Sequence, residues 1–188
     1  MLDAGLKEQT FNVAMYWRFK YENKHTNLST AGVVMPVVVP AQKTSLRYQL
    51  TYSYGNFSFK NVLEGNLSRQ GDTDWTYGVM ALQDVSYDFR TIPLQANFRY
   101  QFFDAVSYEN RFYSYERDVL YAFSIPMYFG LGSRYYLNVK YDLNKHLSLW
   151  FKIAQTVYAD NRESLSSGNE AISGNRKTDL RFMLKYEF

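Results

Sequence analysis

The sequence predicts an all-β protein, an antiparallel up-and-down transmembrane β-barrel with about eight strands visible. Three observations carry this expectation. Runs of strict apolar/polar alternation recur along the chain, each about nine to eleven residues long, enough for a tilted strand to cross a bilayer. The connections between them take turns being tight and long. The last run, Leu180 to Phe188, alternates up to a C-terminal Phe.

The runs justify themselves in order. Phe11, Val13, Met15, Trp17, Phe19 and Tyr21 alternate with Asn12, Ala14, Tyr16, Arg18 and Lys20. Leu46, Tyr48, Leu50 and Tyr52 follow, opposite Arg47, Gln49, Thr51 and Ser53. Phe57, Phe59, Leu63 and Leu67 oppose Ser58, Lys60, Glu64 and Asn66. The run Trp75, Tyr77, Val79, Ala81 has a less clean opposite face. Leu94 to Phe102 alternates with Gln95, Asn97, Arg99 and Gln101. Tyr135 to Leu143 opposes Arg134, Asn138, Lys140 and Asp142. Leu147 to Ile153 opposes Ser148, Trp150, Lys152 and Ala154, and the final run opposes Arg181, Met183, Lys185 and Glu187.

Tight turns are expected at Gly55-Asn56, Asp88–Thr91 and Asn144–His146. Long outer loops are expected near 22–44, 103–133 and 160–178 within a single domain spanning 1–188. Short periplasmic turns and long outer loops are the asymmetry of outer-membrane barrels. A loop as long as 103–133 is functional or disordered, and its aromatic content argues against disorder.

Composition agrees. Aromatic residues make up 19% of the 188 residues, with 18 Tyr and 14 Phe. Such residues suit pleated surfaces, and Tyr and Trp suit a membrane–water boundary. The expected girdle is Trp17, Tyr21, Tyr52, Trp75, Tyr100, Tyr135 and Tyr186. Mean hydropathy is −0.40, because every second strand residue is polar. No apolar stretch is long enough for a transmembrane helix. The absence of Cys excludes thiol chemistry and disulfides. A net charge of +3, without a basic run, gives no nucleic-acid footprint. Met1 to Glu8 shows no signal-peptide pattern, so an exported chain would be processed, trimmed or part of a longer protein.

The expected inward-facing charges are Arg18, Arg47, Lys60, Glu64, Arg99, Lys140, Asp142, Lys152, Arg181 and Lys185, together with Lys20, Asp84 and Glu187. In a closed small barrel these pair across the interior, whereas in a wide pore a basic lining favours anions. Catalysis is not expected. His25, in a long loop with Ser29, and His146, in a turn, lack a nucleophile motif. Asp72, Asp74, Asp160, Glu163 and Glu170 do not match calcium-loop spacing, and no metal or cofactor is expected.

The stretch Arg111-Phe112-Tyr113-Ser114-Tyr115-Glu116-Arg117-Asp118, continuing to Phe123, resembles the C-terminal barrel region of Bacteroidota proteins described as helix-hairpin-helix or competence-like. Gly130 to Tyr136 and Ser167 to Thr178 share the resemblance, which covers most of the chain, best from Trp75 onward. It implies that these strands are the C-terminal part of a wider barrel. The helical, DNA-associated domain of such proteins has no counterpart here, so DNA binding is not carried over. Phe182, Leu184, Tyr186 and Phe188 resemble the signal read by the barrel-assembly machinery.

The expectation is therefore an outer-membrane barrel with a structural, porin-like or transport-associated role. Its partners would be outer-membrane lipid, the assembly machinery and other envelope proteins met through the long loops. The alternatives are a soluble eight-stranded barrel around a small apolar ligand and an outer-membrane lipid-modifying enzyme.

Overall fold

The computed structural model describes residues 11–28, 37–159, 164–165 and 171–188. Eight long strands form one antiparallel sheet: β1 (Phe11–Leu28), β2 (Val37–Tyr54), β3 (Phe57–Gln70), β4 (Thr76–Asp88), β5 (Leu94–Ala105), β8 (Gly130–Asp142), β9 (Leu147–Tyr158) and β12 (Arg176–Tyr186). Each pairs with its sequence neighbour, in the order β1-β2-β3-β4-β5-β8-β9-β12. Short strands decorate the connections: β6 (Phe112–Tyr113) pairs with β7 (Met127–Tyr128), and β10 (Ser164–Leu165) with β11 (Ile172–Ser173).

The all-β, up-and-down expectation is met, but closure is not. Among the described residues no ladder joins β1 to β12, so both have a free edge. The long connections also differ from expectation. β1 and β2 run on past Tyr21 and Thr44, pairing Asn23 with Gln42 and His25 with Pro40. On the β1 side the extension is mostly polar, and on the β2 side it is the continuous apolar run Val37–Ala41, so neither alternates, yet backbone hydrogen bonding needs no alternation. β5 and β8 likewise reach to Ala105 and from Gly130. Residues 29–36, 160–163 and 166–170, with Ser29, Asp160, Glu163 and Glu170, lie outside the described residues, as do Met1 to Glu8.

Tight turns set the register. Gly55 takes a φ of +59°, the left-handed region that a two-residue hairpin requires. The ladder then runs without slips from Phe57↔Tyr87 to Ser68↔Thr76 between β3 and β4. Because the side-chain period is 2, this continuous register gives the whole sheet two uniform faces.

One face is apolar and exposed. Leu63, Phe98, Phe151 and Phe182 are 43–67% exposed, and no protein covers them. The other face is polar and, from β4 to β9, buried: Arg99, Gln101 and Lys152 are at most 2% exposed. It is covered by the β5–β8 connection, a 3-10 turn (Tyr108–Asn110) followed by a hairpin that includes β6, β7 and a Glu116↔Ser124 bridge.

Candidate functional site

The register places the expected inward charges on the hairpin side of the sheet, except Glu187, which lies past the end of β12. Arg18, Arg47 and Glu64 stand side by side across β1–β3. Lys60, Asp84 and Arg99 form a second row. Asn138, Lys152 and Arg181 form a third. Lys140 lies beside Trp150, and Asp142, Ser148 and Lys185 share the row at the turn end.

The hairpin is seated first by a small amide cluster. Asn110 is fully buried; its Nδ2 donates to Asn66 Oδ1 at 2.7 Å, while Asn66 Nδ2 donates to the Asn110 carbonyl at 3.0 Å. Beneath it Val62, Met80, Leu82, Phe103, Phe112 and Tyr128 form an apolar layer. Two inward glycines make room. A Cβ on Gly78 would lie 2.9 Å from the Asn110 carbonyl oxygen, and one on Gly132 would lie 2.7 Å from the Val157 carbonyl oxygen and 2.8 Å from the Phe103 ring. Glycine inside a strand marks this kind of close approach.

Further along, the hairpin delivers carboxylates to the sheet. Glu116 is fully buried and takes a two-pronged grip from Arg134, Nε to Oε1 at 2.6 Å and Nη2 to Oε2 at 3.0 Å. Lys152 Nζ donates to Glu116 Oε2 at 3.0 Å and to Asp118 Oδ2 at 3.1 Å. Tyr128 donates its hydroxyl to Glu116 Oε1 at 2.8 Å. Arg181 donates to Asp118 Oδ2 at 2.6 Å, and Arg134 also reaches Asp179 at 3.1 Å. Arg99 forks onto Asp84 at 2.5 and 2.6 Å and donates its remaining nitrogen to the Tyr115 carbonyl at 2.7 Å. The Tyr136 ring lies beneath both Arg99 and Lys152, 5.3 and 4.8 Å from their charged groups. Burial works against the Glu116 charge, but the Arg134 hydrogen bonds and the charges of Arg134 and Lys152 outweigh it. They hold its carboxyl below the usual carboxylate range.

Strands β1–β3 differ. Their inner face carries Arg18, Lys20, Lys24, Lys43, Arg47 and Lys60 against only Glu22 and Glu64. Arg18 and Arg47 share Glu64 at 3.3 and 2.8 Å. Lys20 pairs with Glu22 at 2.9 Å. Lys43 reaches only a backbone carbonyl, that of Glu109, at 2.5 Å. Among the described residues Lys60 and Lys24 make no ion pair, and neither does Arg117 on the hairpin.

The expected girdle residues all lie outside this site. On the outer face Trp17 packs on Tyr48 at 4.6 Å, Tyr52 stacks on Phe59 at 4.7 Å, and Tyr186 meets Phe188 edge-on at 5.2 Å. Tyr100 and Tyr135 are direct cross-strand partners, and Tyr135 donates to Gln155. Trp75 sits in the β3–β4 turn under Arg69, and Tyr21 is an exposed outward residue of β1. Phe182 and Leu184 face the same side as Tyr186. His25 is exposed, and His146 Nδ1 meets the Glu187 carbonyl at 2.9 Å in a turn. Asp72 and Asp74 are exposed between β3 and β4. No group of three or more metal-ligating side chains assembles among the described residues.

Sequence reasoning found the charges but not their partners. Glu116, Asp118 and Asn110 fall within the long 103–133 loop that the sequence predicts. The sequence signals for a chain packed against this face are Gly78 and Gly132 and the apolar Val62, Met80, Leu82, Phe103 and Ala105 on the otherwise polar side of β3, β4, β5 and β8. Compared with protein families, curated proteins and solved structures, the chain matches none.

Proposed function

We propose that this chain is the membrane-spanning sheet of an outer-membrane β-barrel whose wall faces lipid and whose lumen holds a hairpin plug. One observation carries the reading: the sheet buries its polar face from β4 to β9 and exposes its apolar face on every long strand. A water-soluble sheet does the reverse, because burying apolar surface drives its folding. In a bilayer the exposed Leu, Phe and Val side chains meet hydrocarbon, and the backbone groups between them are satisfied by the ladder. The soluble-barrel alternative needs the apolar face turned inward, and here that face points outward on every long strand.

The free edges of β1 and β12 extend the proposal. An open edge does not persist in hydrocarbon, where each unsatisfied backbone group costs several kcal/mol. An eight-stranded barrel has an interior just wide enough for side chains. This sheet instead wraps the β5–β8 connection, with contacts from Lys43 on β2 to the 3-10 turn and from Arg181 on β12 to the hairpin. We therefore infer that further strands, pairing with β1 and β12, complete a wider barrel. The role that follows is a plugged envelope barrel of structural or transport-associated type, without enzymatic chemistry.

Expression followed by membrane fractionation tests this. The protein should sediment with the outer membrane, require detergent for extraction, and migrate differently on gels before and after heating. A detergent-free soluble monomer would sink the proposal.

A further inference from the structure

Toward the tight turns, a cavity of about 380 Å³ lies between the hairpin and the sheet. The register builds its floor from four strands. Ser58, Ser86, Asn97 and Asn138 are cross-strand partners in one inward row, and all four are short and uncharged. Longer side chains stand on either side of that row. Asp84, Arg99 and Tyr136 form one flank; Gln95, Lys140 and Trp150 form the other, nearer the turns. Tyr115, Arg117 and Asp118 of the hairpin face this floor across the cavity. Short side chains between long ones leave a space that the fold itself does not fill. The floor is buried yet under-bonded. Asn97 is 4% exposed and its Nδ2 donates to Ser86 Oγ at 2.8 Å, which leaves Oδ1 without a partner among the described residues. Asn138 is 8% exposed, and its amide makes no hydrogen bond among the described residues. Buried amides are ordinarily partnered, because an unmet donor or acceptor forfeits its hydration.

We propose that this cavity binds a neutral monosaccharide ring. The inference rests on the reading of this face as the lumen of a membrane barrel, which gives the cavity access to water-borne solutes. The lining selects the class. Its amides and hydroxyls both donate and accept, as the adjacent hydroxyls of a sugar do. Two rings, Trp150 of the sheet and Tyr115 of the hairpin, add apolar surface for the C–H face of a sugar. A few polar groups among aromatic walls, in a cavity of this size, are the make-up of a small-molecule site. The charges at the cavity cancel. Asp118 is engaged by Lys152, Arg181 and the Val119 N–H, and Lys140 by Asp142. Arg117 and Asp88 remain, opposite in sign and both exposed. An anion here meets Asp88 and Asp118, and a cation meets Arg117 and Lys140. A neutral ligand meets neither repulsion.

The probes are the methyl glycosides of glucose, galactose and mannose, with gluconate and glycylglycine as charged comparisons. The full chain is held in a detergent without a sugar headgroup, and binding is titrated by saturation-transfer NMR. At least one glycoside should bind, more tightly than gluconate or glycylglycine, and salt should leave its affinity unchanged. Asn138→Leu should weaken that binding at least about tenfold. Its urea midpoint should hold or rise, because an apolar side chain replaces an unpartnered buried amide. A residue serving only the fold would not separate the two readouts in that direction. Tyr115→Ala, at an exposed position, should weaken binding about fivefold and is the second variant if Asn138→Leu does not fold. Asn23→Ala, exposed on the β1 extension, should change nothing. Binding of none of the three glycosides, tighter binding of gluconate or glycylglycine, or unchanged binding in the variants overturns the proposal. Heat-dependent gel migration of the same samples separates the cases. Its absence counts against the membrane barrel itself, whereas failed glycoside binding in a heat-modifiable sample counts against the sugar site alone.

Discussion

On β5, β8, β9 and β12 the inward cations other than Lys177 end on carboxylates, and the hairpin's Glu116 and Asp118 take Arg134, Lys152 and Arg181; on β1–β3 Lys24, Lys43 and Lys60 meet no carboxylate among the described residues. Arg134 and Lys152 are at most 7% exposed in their side chains and converge on Glu116. Arg18 and Lys20 are 45% and 55% exposed. Both halves derive from the same alternating pattern of apolar and basic residues. What separates them is where the β5–β8 connection lies. A buried charge persists only when paired and hydrogen-bonded, so the hairpin's acids and the sheet's bases require each other. The comparison teaches that one half of this face is a clamp and the other an opening.

The sharpest way to break that contrast is to empty the clamp. Glu116→Ala takes the main carboxylate from Arg134 and Lys152, leaving them Asp179 and Asp118, and should lower stability by about 3 kcal/mol, read from the urea midpoint of the detergent-folded protein. A loss near zero would mean that the network is solvated and the two halves are alike.

A charge on the opposite face comes next. Phe98→Arg, on the outward side of β5, should lose about 2–4 kcal/mol in lipid vesicles. The same change in a protein whose outer face meets water would be nearly neutral. Its effect therefore ties the clamp to a membrane setting.

Gly132→Ala probes the seating of the hairpin. Its Cβ would press on the Val157 carbonyl and the Phe103 ring. Overpacking of this kind costs about 1–3 kcal/mol, and chemical-denaturation midpoints should show it. Gly65→Ala, whose Cβ meets only the Gly78 carbonyl at 3.9 Å, is the matched control.

Acid should loosen the clamp before it touches the opening. Glu116 is held below its ordinary value, so its contribution is complete above the unfolded carboxylate pKa. It is lost as pH falls through the lower, folded value, in a window below about pH 4. Proteolysis of the 112–128 hairpin should rise in that window in wild type, and the rise should vanish in Glu116→Gln. Smallest of all, Lys20→Gln on the open half should change stability by less than about 0.5 kcal/mol, because an exposed pair contributes little.

Much of this architecture was legible along the chain. Alternation in runs such as Leu94 to Phe102 fixed the strands, because a pleated backbone turns successive side chains to opposite faces whatever lies beyond. Gly55-Asn56 fixed a turn, because few residues accept its backbone angles. The identity of the inward charges followed from the same period. The extension of β1 was hidden, since a strand polar on both faces carries no periodic signal, whereas the apolar Val37–Pro40 of β2 was open to reading as a strand extension or as a loop packed on the rim.

What tertiary structure alone decided is which charges are neutralised, which are left open, and whether the sheet closes. Glu116 meets Arg134 and Lys152 only because the hairpin packs against β8 and β9. Nothing local to residues 112–118 encodes that meeting. Strand period is a property of neighbouring residues, readable one dipeptide at a time. Charge pairing and edge satisfaction are properties of elements brought together from far apart in the chain, and they exist only once the fold has formed.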